Sequence, residues 1–240
     1  MAITVFKRHE IKFMTDARQR AFLEQALSDI MVPDAYGEST VCSVYYDTPD
    51  YRLIRASMEK PVYKEKLRLR SYGRAGQDDR IFMELKKKYK GIVYKRRIEL
   101  KNSEAESFLA GETGLPEDSQ IGREIEYFRE FYKELVPAMY LCYDRTAFFC
   151  KTDPGLRITF DRNIRWQTEN VSLTAPTQGR QILSPGQSLL EIKVGEAIPL
   201  WLVKLLNEAD IKQTSFSKYA TAYTTLVKEK NITERRALYA

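Results

Sequence analysis

The sequence predicts an α+β fold: an eight-stranded antiparallel β-barrel with helices packed outside, in one domain over residues 1–240. Three observations predict it. Segments in which charged and apolar residues alternate recur along the chain, the period of strands with two unlike faces. They follow one another through short connections rich in Gly, Asp and Pro, which favours antiparallel neighbours. Between them stand stretches whose apolar residues return every three or four positions, as in helices laid against a sheet.

Taken in order, residues 3–13 set Ile3, Val5, Ile11 and Phe13 against Arg8, Glu10 and Lys12, a first strand. Thr15 or Asp16 can cap a helix in which Phe22, Leu23, Ala26, Leu27 and Ile30 share a face, and Pro33 is read as its stop. Residues 41–47 are β-branched and aromatic and close in the turn signal Thr48-Pro49-Asp50. Strands at 64–72, 80–88 and 92–101 come in quick order, with Gly73, Gly76, Gln77-Asp78-Asp79 and Gly91 as punctuation, which reads as a meander. Helices over 103–109 and 121–135 interrupt it as cover for the sheet, the second with Ile121, Ile125, Phe128, Tyr132 and Leu135 on one face. Strands return at 139–149, 156–161 and 188–194. The long polar stretch 167–187 reads equally as a mobile flap or a surface excursion. Two helices finish the chain, one from Pro199 with Leu202, Leu205, Leu206 and Ala209, one from Ser217 with Tyr219, Tyr223, Leu226 and Val227. Eight such strands can enclose an interior wide enough for side chains and one slender ligand.

Composition narrows the function classes. Hydrophobic residues at 43% suffice for a true core, and a net charge of +6 favours acidic partners. The three cysteines, Cys42, Cys142 and Cys150, lack CxxC spacing, so a reducing, cytoplasmic location is expected. The N-terminus is charged by Lys7 and lacks a signal-peptide core, and the apolar run 197–203 falls far short of the roughly 20 residues of a spanning helix. The sole histidine, His9, shares the face of Ile11 and Phe13, which points to a packed or edge histidine rather than a catalytic one. No zinc-ligand spacing, Walker loop, GxGxxG fingerprint or kinase signature is present.

What remains is the strand-borne charge. Arg8, Lys12, Lys66, Arg68, Arg70, Lys86, Lys95, Arg97, Arg145, Arg157 and Lys193 stand beside only Glu10, Glu84, Glu99, Asp161 and Glu191. A dry interior does not bear such a face, and salt-bridged ladders on an open, solvated sheet would not need the same pattern on most strands. A wet, cationic interior for a polyanion follows. Arginine grips phosphate oxygens with two prongs and lysine acts as a point charge, while carboxylates supply hard oxygens for Mg²⁺ or Mn²⁺. Nucleic acid is not the expected partner: aromatics on these faces are few, Phe6, Tyr72 and Phe82 lying at margins or beside acids, and the carboxylates would repel a phosphodiester backbone.

The order of motifs resembles the catalytic domain of the VTC-type (vacuolar transporter chaperone) polyphosphate polymerases, a branch of the triphosphate tunnel metalloenzymes. The resemblance runs through Arg8-x-Glu10-x-Lys12-Phe13, Tyr46-Asp47-Thr48, Leu67-Arg68-Leu69-Arg70-x-Tyr72-Gly73 and Glu84-x-Lys86. It continues through Tyr94-Lys95-Arg96-Arg97, Tyr143-x-Arg145-Thr146-Ala147-Phe148, Arg157-Ile158-Thr159-x-Asp161, Glu191-x-Lys193 and Ser217-Lys218-Tyr219. It implies an eight-stranded tunnel in which Lys12, Arg68, Arg70, Lys86, Lys95, Arg145, Arg157 and Lys218 act on the transferred phosphates. Arg8, Lys66, Arg97, Lys193 and Ser217 would bind substrate, and Glu191, with Glu10 and Glu84, would hold Mn²⁺ or Mg²⁺. The implied partners are ATP and inorganic polyphosphate, triphosphate or pyrophosphate, with a membrane protein as a further partner. The wider superfamily opens with two glutamates in ExExK; Arg8 takes the first place here, as in the VTC branch, which implies a polymerase over a triphosphatase or cyclase. Ser215 stands where the branch often carries a lysine. A hydrolase of the same fold and an RNA-gripping barrel are the alternatives.

Overall fold

The computed structural model describes residues 9–90 and 92–238. Ile3, Val5, Phe6 and Arg8 of the expected first strand, and Gly91, lie outside the described residues. Strand β1 (His9–Thr15) leads into α1 (Ala17–Leu27), capped by Asp16: its carboxylate accepts from Gln19 N at 2.8 Å, and the Gln19 side chain accepts from Asp16 N at 3.0 Å. The helix ends at Leu27, short of Ile30, and Pro33 is not its stop. Pro33 lies inside β2 (Met31–Asp47), opposite Phe148 as the last pair before the ladder becomes irregular, on a stretch that β3 does not flank, so the missing N–H falls where the strand is paired on one side. Helix α2 (Arg52–Met58) is an element the sequence pattern does not predict. It is started by two side chains: Leu53 N and Ile54 N donate to the Asp47 carboxylate at 2.8 and 3.0 Å, and Arg52 N donates to Thr48 Oγ1 at 2.9 Å.

The expected meander follows as β3 (Tyr63–Tyr72), β4 (Arg80–Tyr89) and β5 (Ile92–Lys101). Next come α3 (Asn102–Ala110), ended by Gly111 at φ +81°, and α4 (Gln120–Tyr132), started by Ser119 Oγ accepting from Gly122 N at 3.0 Å. The chain continues as β6 (Val136–Cys150), β7 (Arg157–Gln167), β8 (Arg180–Gln181), β9 (Ser188–Val194), α5 (Leu200–Glu208), β10 (Gln213–Thr214) and α6 (Lys218–Leu238). Residues 167–187 are pinned to the sheet: Leu173 and Leu183 are buried, Ala75 N donates to Leu173 O at 3.0 Å, and β8 pairs with β7.

All ladders are antiparallel, in the order β10-β1-β9-β7-β6-β2-β3-β4-β5, with β8 beside β7. Among the described residues this path does not close, so the α+β fold with a large antiparallel sheet is seen and the closed eight-stranded barrel of the expectation is not. The physical reason lies at β1, whose two edges are taken by β9 and, over Lys12 and Phe13, by β10, while β5 pairs with β4. The sheet nevertheless curls until its flanks meet, with Glu10 on β1 3.9 Å from Lys86 on β4.

The convex face is apolar and covered. Leu67, Leu69, Met83 and Leu85 pack under Phe108, Ile125 and Phe128 of α3 and α4. Phe13, Ile158, Phe160, Leu190 and Ile192 pack under Leu23, Leu27, Leu202 and Leu206 of α1 and α5. Each such side chain contributes about 1.5–3 kcal/mol on burial. On the other face, Tyr219, Ala222 and Leu226 of α6 cover Tyr45, Leu141, Tyr143 and Trp166. That helix fills only part of the inner face, and the charges occupy the rest. Among the described residues no helix is long and apolar enough to cross a membrane.

Candidate polyanion-binding site

Strand alternation puts the charged residues on the inner face, and the register decides which of them meet. Arg68 stands opposite Glu84, Arg145 opposite Asp161, and Lys12 opposite Glu191, which is itself opposite Thr159. Two clusters result, each centred on buried carboxylate.

The first centres on Glu84, 1% exposed. Arg68 approaches it with Nη2 at 2.7 Å and Nε at 2.8 Å, Lys95 at 2.5 Å and Arg70 at 3.6 Å. Arg68 also donates to Tyr45 Oη at 3.0 Å. Burial raises the affinity of Glu84 for a proton, but Arg68, Arg70 and Lys95 outweigh it and hold the carboxyl well below its usual range. Burial likewise raises the Tyr45 phenol, and Arg68, Lys66 and Arg70 bring it down to about 8.

The second centres on Asp161 and Glu191. Arg145 grips Asp161 with both prongs, at 2.6 and 2.8 Å, and reaches Glu191 at 3.2 Å. Lys218, from the first turn of α6, meets Asp161 at 2.5 Å and Glu191 at 3.1 Å. Lys12 lies 3.6 Å from Glu191 and 3.1 Å from Glu10, and donates to Phe216 O at 3.0 Å; Lys193 stands 4.0 Å from Glu191. Against the effect of burial, Lys218, Lys12 and Arg145 hold the Glu191 carboxyl well below its usual range. Burial raises Glu10, but Lys86 leads the cations that bring it down to about 2. Burial also drops Lys66 and Lys193 to about 8 each, short of full compensation from Tyr45 and Glu191.

The remaining expected residues divide. Lys66 places its ammonium over the Tyr219 ring at 5.7 Å, and Ser217 Oγ caps α6 by accepting from Ala220 N at 3.4 Å. Arg157 sits over the Phe149 ring at 4.6 Å and 3.4 Å from Asp34, and the exposed Arg97 lies over Phe82 at 4.4 Å. Arg8 lies outside the described residues. Sequence reasoning gave no role to Asp161 as the seat of Arg145 and Lys218, nor to the pair Asp47 and Tyr219. Tyr219 Oη donates to Asp47 at 2.9 Å while its ring stacks on Tyr45 at 4.5 Å, which seats the start of α6 in the site. The motifs Tyr46-Asp47-Thr48 and Ser217-Lys218-Tyr219 carried that signal without revealing that they join.

Three buried polar atoms of this face, Ser43 Oγ, Arg70 Nε and Thr159 Oγ1, have no hydrogen-bond partner in the protein. A face with surplus cations and orphaned polar groups suits an oxygen-rich anion. Among the described residues no three histidine, cysteine or carboxylate side chains gather as a metal-ligand set. Glu10 and Glu191 are close enough to raise each other's cost of ionisation, while Glu84 belongs to the other cluster. Paired hard oxygens of this kind fit a divalent ion that takes its other ligands from phosphates and water.

The family model of the VTC domain matches residues 7–227. Subunit 4 of the vacuolar transporter chaperone complex from Trypanosoma brucei brucei is 26% identical over 233 residues, covering 81% of this chain and 29% of that protein. The Schizosaccharomyces pombe subunit 4 is 25% identical over 231 residues, covering 79% and 32%. The chain thus spans about a third of the length of these curated relatives. Among solved structures, a candidate adenylate cyclase from Bacillus halodurans superposes with a TM-score of 0.56 at 14% identity, covering 90% of this chain and 96% of that one. A candidate adenylyl cyclase from Hippeastrum, described as having a dominant triphosphatase activity, superposes with a TM-score of 0.50 at 17% identity, covering 90% and 95%. Motif order, an inner face of cations around buried carboxylates and a match over nearly the whole chain agree: the chain belongs to the VTC domain family.

Proposed function

We propose that this chain is an ATP-dependent polyphosphate polymerase. A terminal oxygen of the growing chain attacks the γ-phosphorus of ATP, the bond from that phosphorus to the β-bridging oxygen breaks, and ADP leaves with the electron pair. Such a transfer needs alignment and charge neutralisation rather than a covalent nucleophile, which suits a site without histidine, serine or cysteine chemistry. The observation that carries the reading is the buried Arg70 guanidinium between the clusters: its contacts with Glu84 and Tyr143 are long, 3.6 and 3.5 Å, and its Nε lacks an acceptor. Arg68 and Arg145 are clamped by carboxylates, so their guanidinium charge is fixed in place before phosphate arrives and needs little reorganisation to neutralise it. Lys12, Lys95, Lys193 and Lys218 neutralise the chain on either side. Bound at Glu191 and Glu10, Mn²⁺ or Mg²⁺ would supply further neutralisation of phosphate oxygens. Closure of the curled sheet into a tunnel around the chain belongs to the same proposal, as does assembly with other subunits, which the names of the relatives suggest.

The test is to incubate the purified protein with ATP and Mn²⁺ and resolve the products. Long polyphosphate is expected; orthophosphate alone would identify a hydrolase. Arg70→Ala leaves the carboxylate clamps in place and should lower chain formation about a hundredfold, some 3 kcal/mol in the barrier.

A further inference from the structure

On the inner face, β3 and β4 continue past Arg68 and Glu84 into a lattice of lysines. Lys66 stands directly opposite Lys86, and Lys64 directly opposite Lys88; across the next ladder Lys86 faces Lys95. Like charges in opposed positions destabilise a sheet. Lysines often guard exposed sheet edges, and Lys64 and Lys66 lie on the part of β3 beyond its ladder with β2, which ends at Leu67; Lys86 and Lys88, however, are paired on both sides, with β3 and β5, so edge protection does not account for them. The outer face of the same strands shows the contrast. There Lys87 and Arg96 share Glu124 at 3.1 and 3.4 Å, and the Glu65 carboxylate accepts from Tyr63 and Tyr132 at 2.6 and 2.9 Å. On the inner side, among the described residues, no carboxylate comes within ion-pair distance of Lys64, Lys66 or Lys88. Lys64 donates to Ser57 O at 3.1 Å, and its ammonium is disfavoured first by burial and then by Lys88, Lys86 and Lys60.

The lattice has a direction. Beyond Arg70, at the other end of β3, the inner face turns to Phe82 and Glu99, with Tyr72 edge-on to Phe82 at 6.2 Å. Toward that end Arg97 lies over the Phe82 ring at 4.4 Å, and Arg80 and Lys101 are matched by Glu99 and Asp78 at 3.7 and 3.2 Å, so the run of lysines without a carboxylate partner among the described residues continues from the Glu84 cluster toward the Tyr63 end. Successive lysines on a strand face stand roughly 7 Å apart and adjacent strands about 4.8 Å apart, a grid that a flexible chain of repeating negative charges can track. Bases would need exposed aromatic faces, and the inner-face rings at this level, Tyr45 and Tyr219, are stacked on each other.

We propose that Lys64 and Lys88, continuing from Lys66 and Lys86, form an outer subsite that holds the polyphosphate chain beyond the phosphates in the two clusters, so that the chain leaves toward the Tyr63 end of β3. This rests on the proposed polymerase reading but is tested apart from it, by binding. Sodium tripolyphosphate and a long-chain polyphosphate are titrated calorimetrically against the wild type, the double variant Lys64→Gln/Lys88→Gln, and Lys87→Gln, which removes a lysine from the outer face. The double variant should lose about tenfold or more in affinity for the long chain and less than about threefold for tripolyphosphate, with Lys87→Gln changing neither. Its ligand-free melting temperature should equal or exceed that of the wild type, because the opposed like-charge pair Lys64–Lys88 is relieved. Equal losses for both ligands, no loss for either, or tighter binding of single-stranded RNA than of long polyphosphate would overturn the subsite. If the wild type makes only orthophosphate from ATP, the polymerase reading fails while the length-dependent binding result still stands.

Discussion

Buried carboxylates organise this site. Glu84, Asp161 and Glu191 are 1%, 0% and 5% exposed, and each holds two or more cations in fixed geometry. Their role is to place guanidinium and ammonium groups, and the surplus positive charge is what an anion meets. Removing one such carboxylate strands its partners, so Glu84→Gln should cost about 3–5 kcal/mol in urea denaturation, and added tripolyphosphate should recover part of the loss. The acid limb follows from the same groups. Glu10, Glu84 and Glu191 are all depressed in the folded state, so the stability they contribute is present above the ordinary carboxylate value of 4.5 and is lost as pH falls toward about 2. Glu10→Gln should flatten the fall of melting temperature on acidification; an unchanged slope would mean that the Glu10 pairs carry no stability.

At the scale of elements, two helices contribute in different ways. Helix α4 is cover: Phe128, 2% exposed, fills the core over Leu67 and Met83, and Phe128→Ala should cost about 3–5 kcal/mol. The start of α6 is part of the site, carrying Lys218 to Asp161 and Glu191 and fixed by the Tyr219–Asp47 hydrogen bond. Tyr219→Phe keeps the ring stack on Tyr45 and loses only the hydroxyl, so it should cost about 1 kcal/mol by the same denaturation measurement. A larger loss from Tyr219→Phe than from Phe128→Ala would show that seating α6 matters more than packing the sheet. Asp47 also binds the first amides of α2, so one buried carboxylate ties two helix starts to β2.

The whole molecule is a charged concave face held open by an apolar convex one, and its response to pH should split accordingly. Burial lowers Lys66 and Lys193 from 10.5 to about 8, so at these two sites the folded protein binds fewer protons than the unfolded chain between those values, and their own contribution to ligand-free stability rises with pH across that window. If these lysines hold triphosphate as proposed, its binding needs them charged and should weaken above about pH 8. Melting curves with and without tripolyphosphate should therefore converge as pH rises; parallel curves would exclude these lysines from the ligand site.

Much of this was legible in one dimension. Alternation is a local property with a two-residue period, so the sequence alone placed Arg68, Arg70, Glu84, Lys86, Arg145, Glu191 and Lys193 on strands with a polar face, and it located most strands. Helical spacing identified the covering helices in the same way. It missed α2, because that helix is started by side chains of Asp47 and Thr48 inside what reads as a turn, and it misread Pro33, because a stretch of strand paired on one side tolerates a missing N–H. Tertiary structure decided what depends on register and curvature: which cation meets which carboxylate, that Lys218 and Arg145 share Asp161 across more than fifty residues of chain, and that lysines face lysines beyond Glu84. It also decided that β10 occupies the edge of β1 and leaves the sheet open among the described residues. A sequence specifies the faces of its strands by local periodicity, but pairing partners are chosen by packing between residues far apart in the chain.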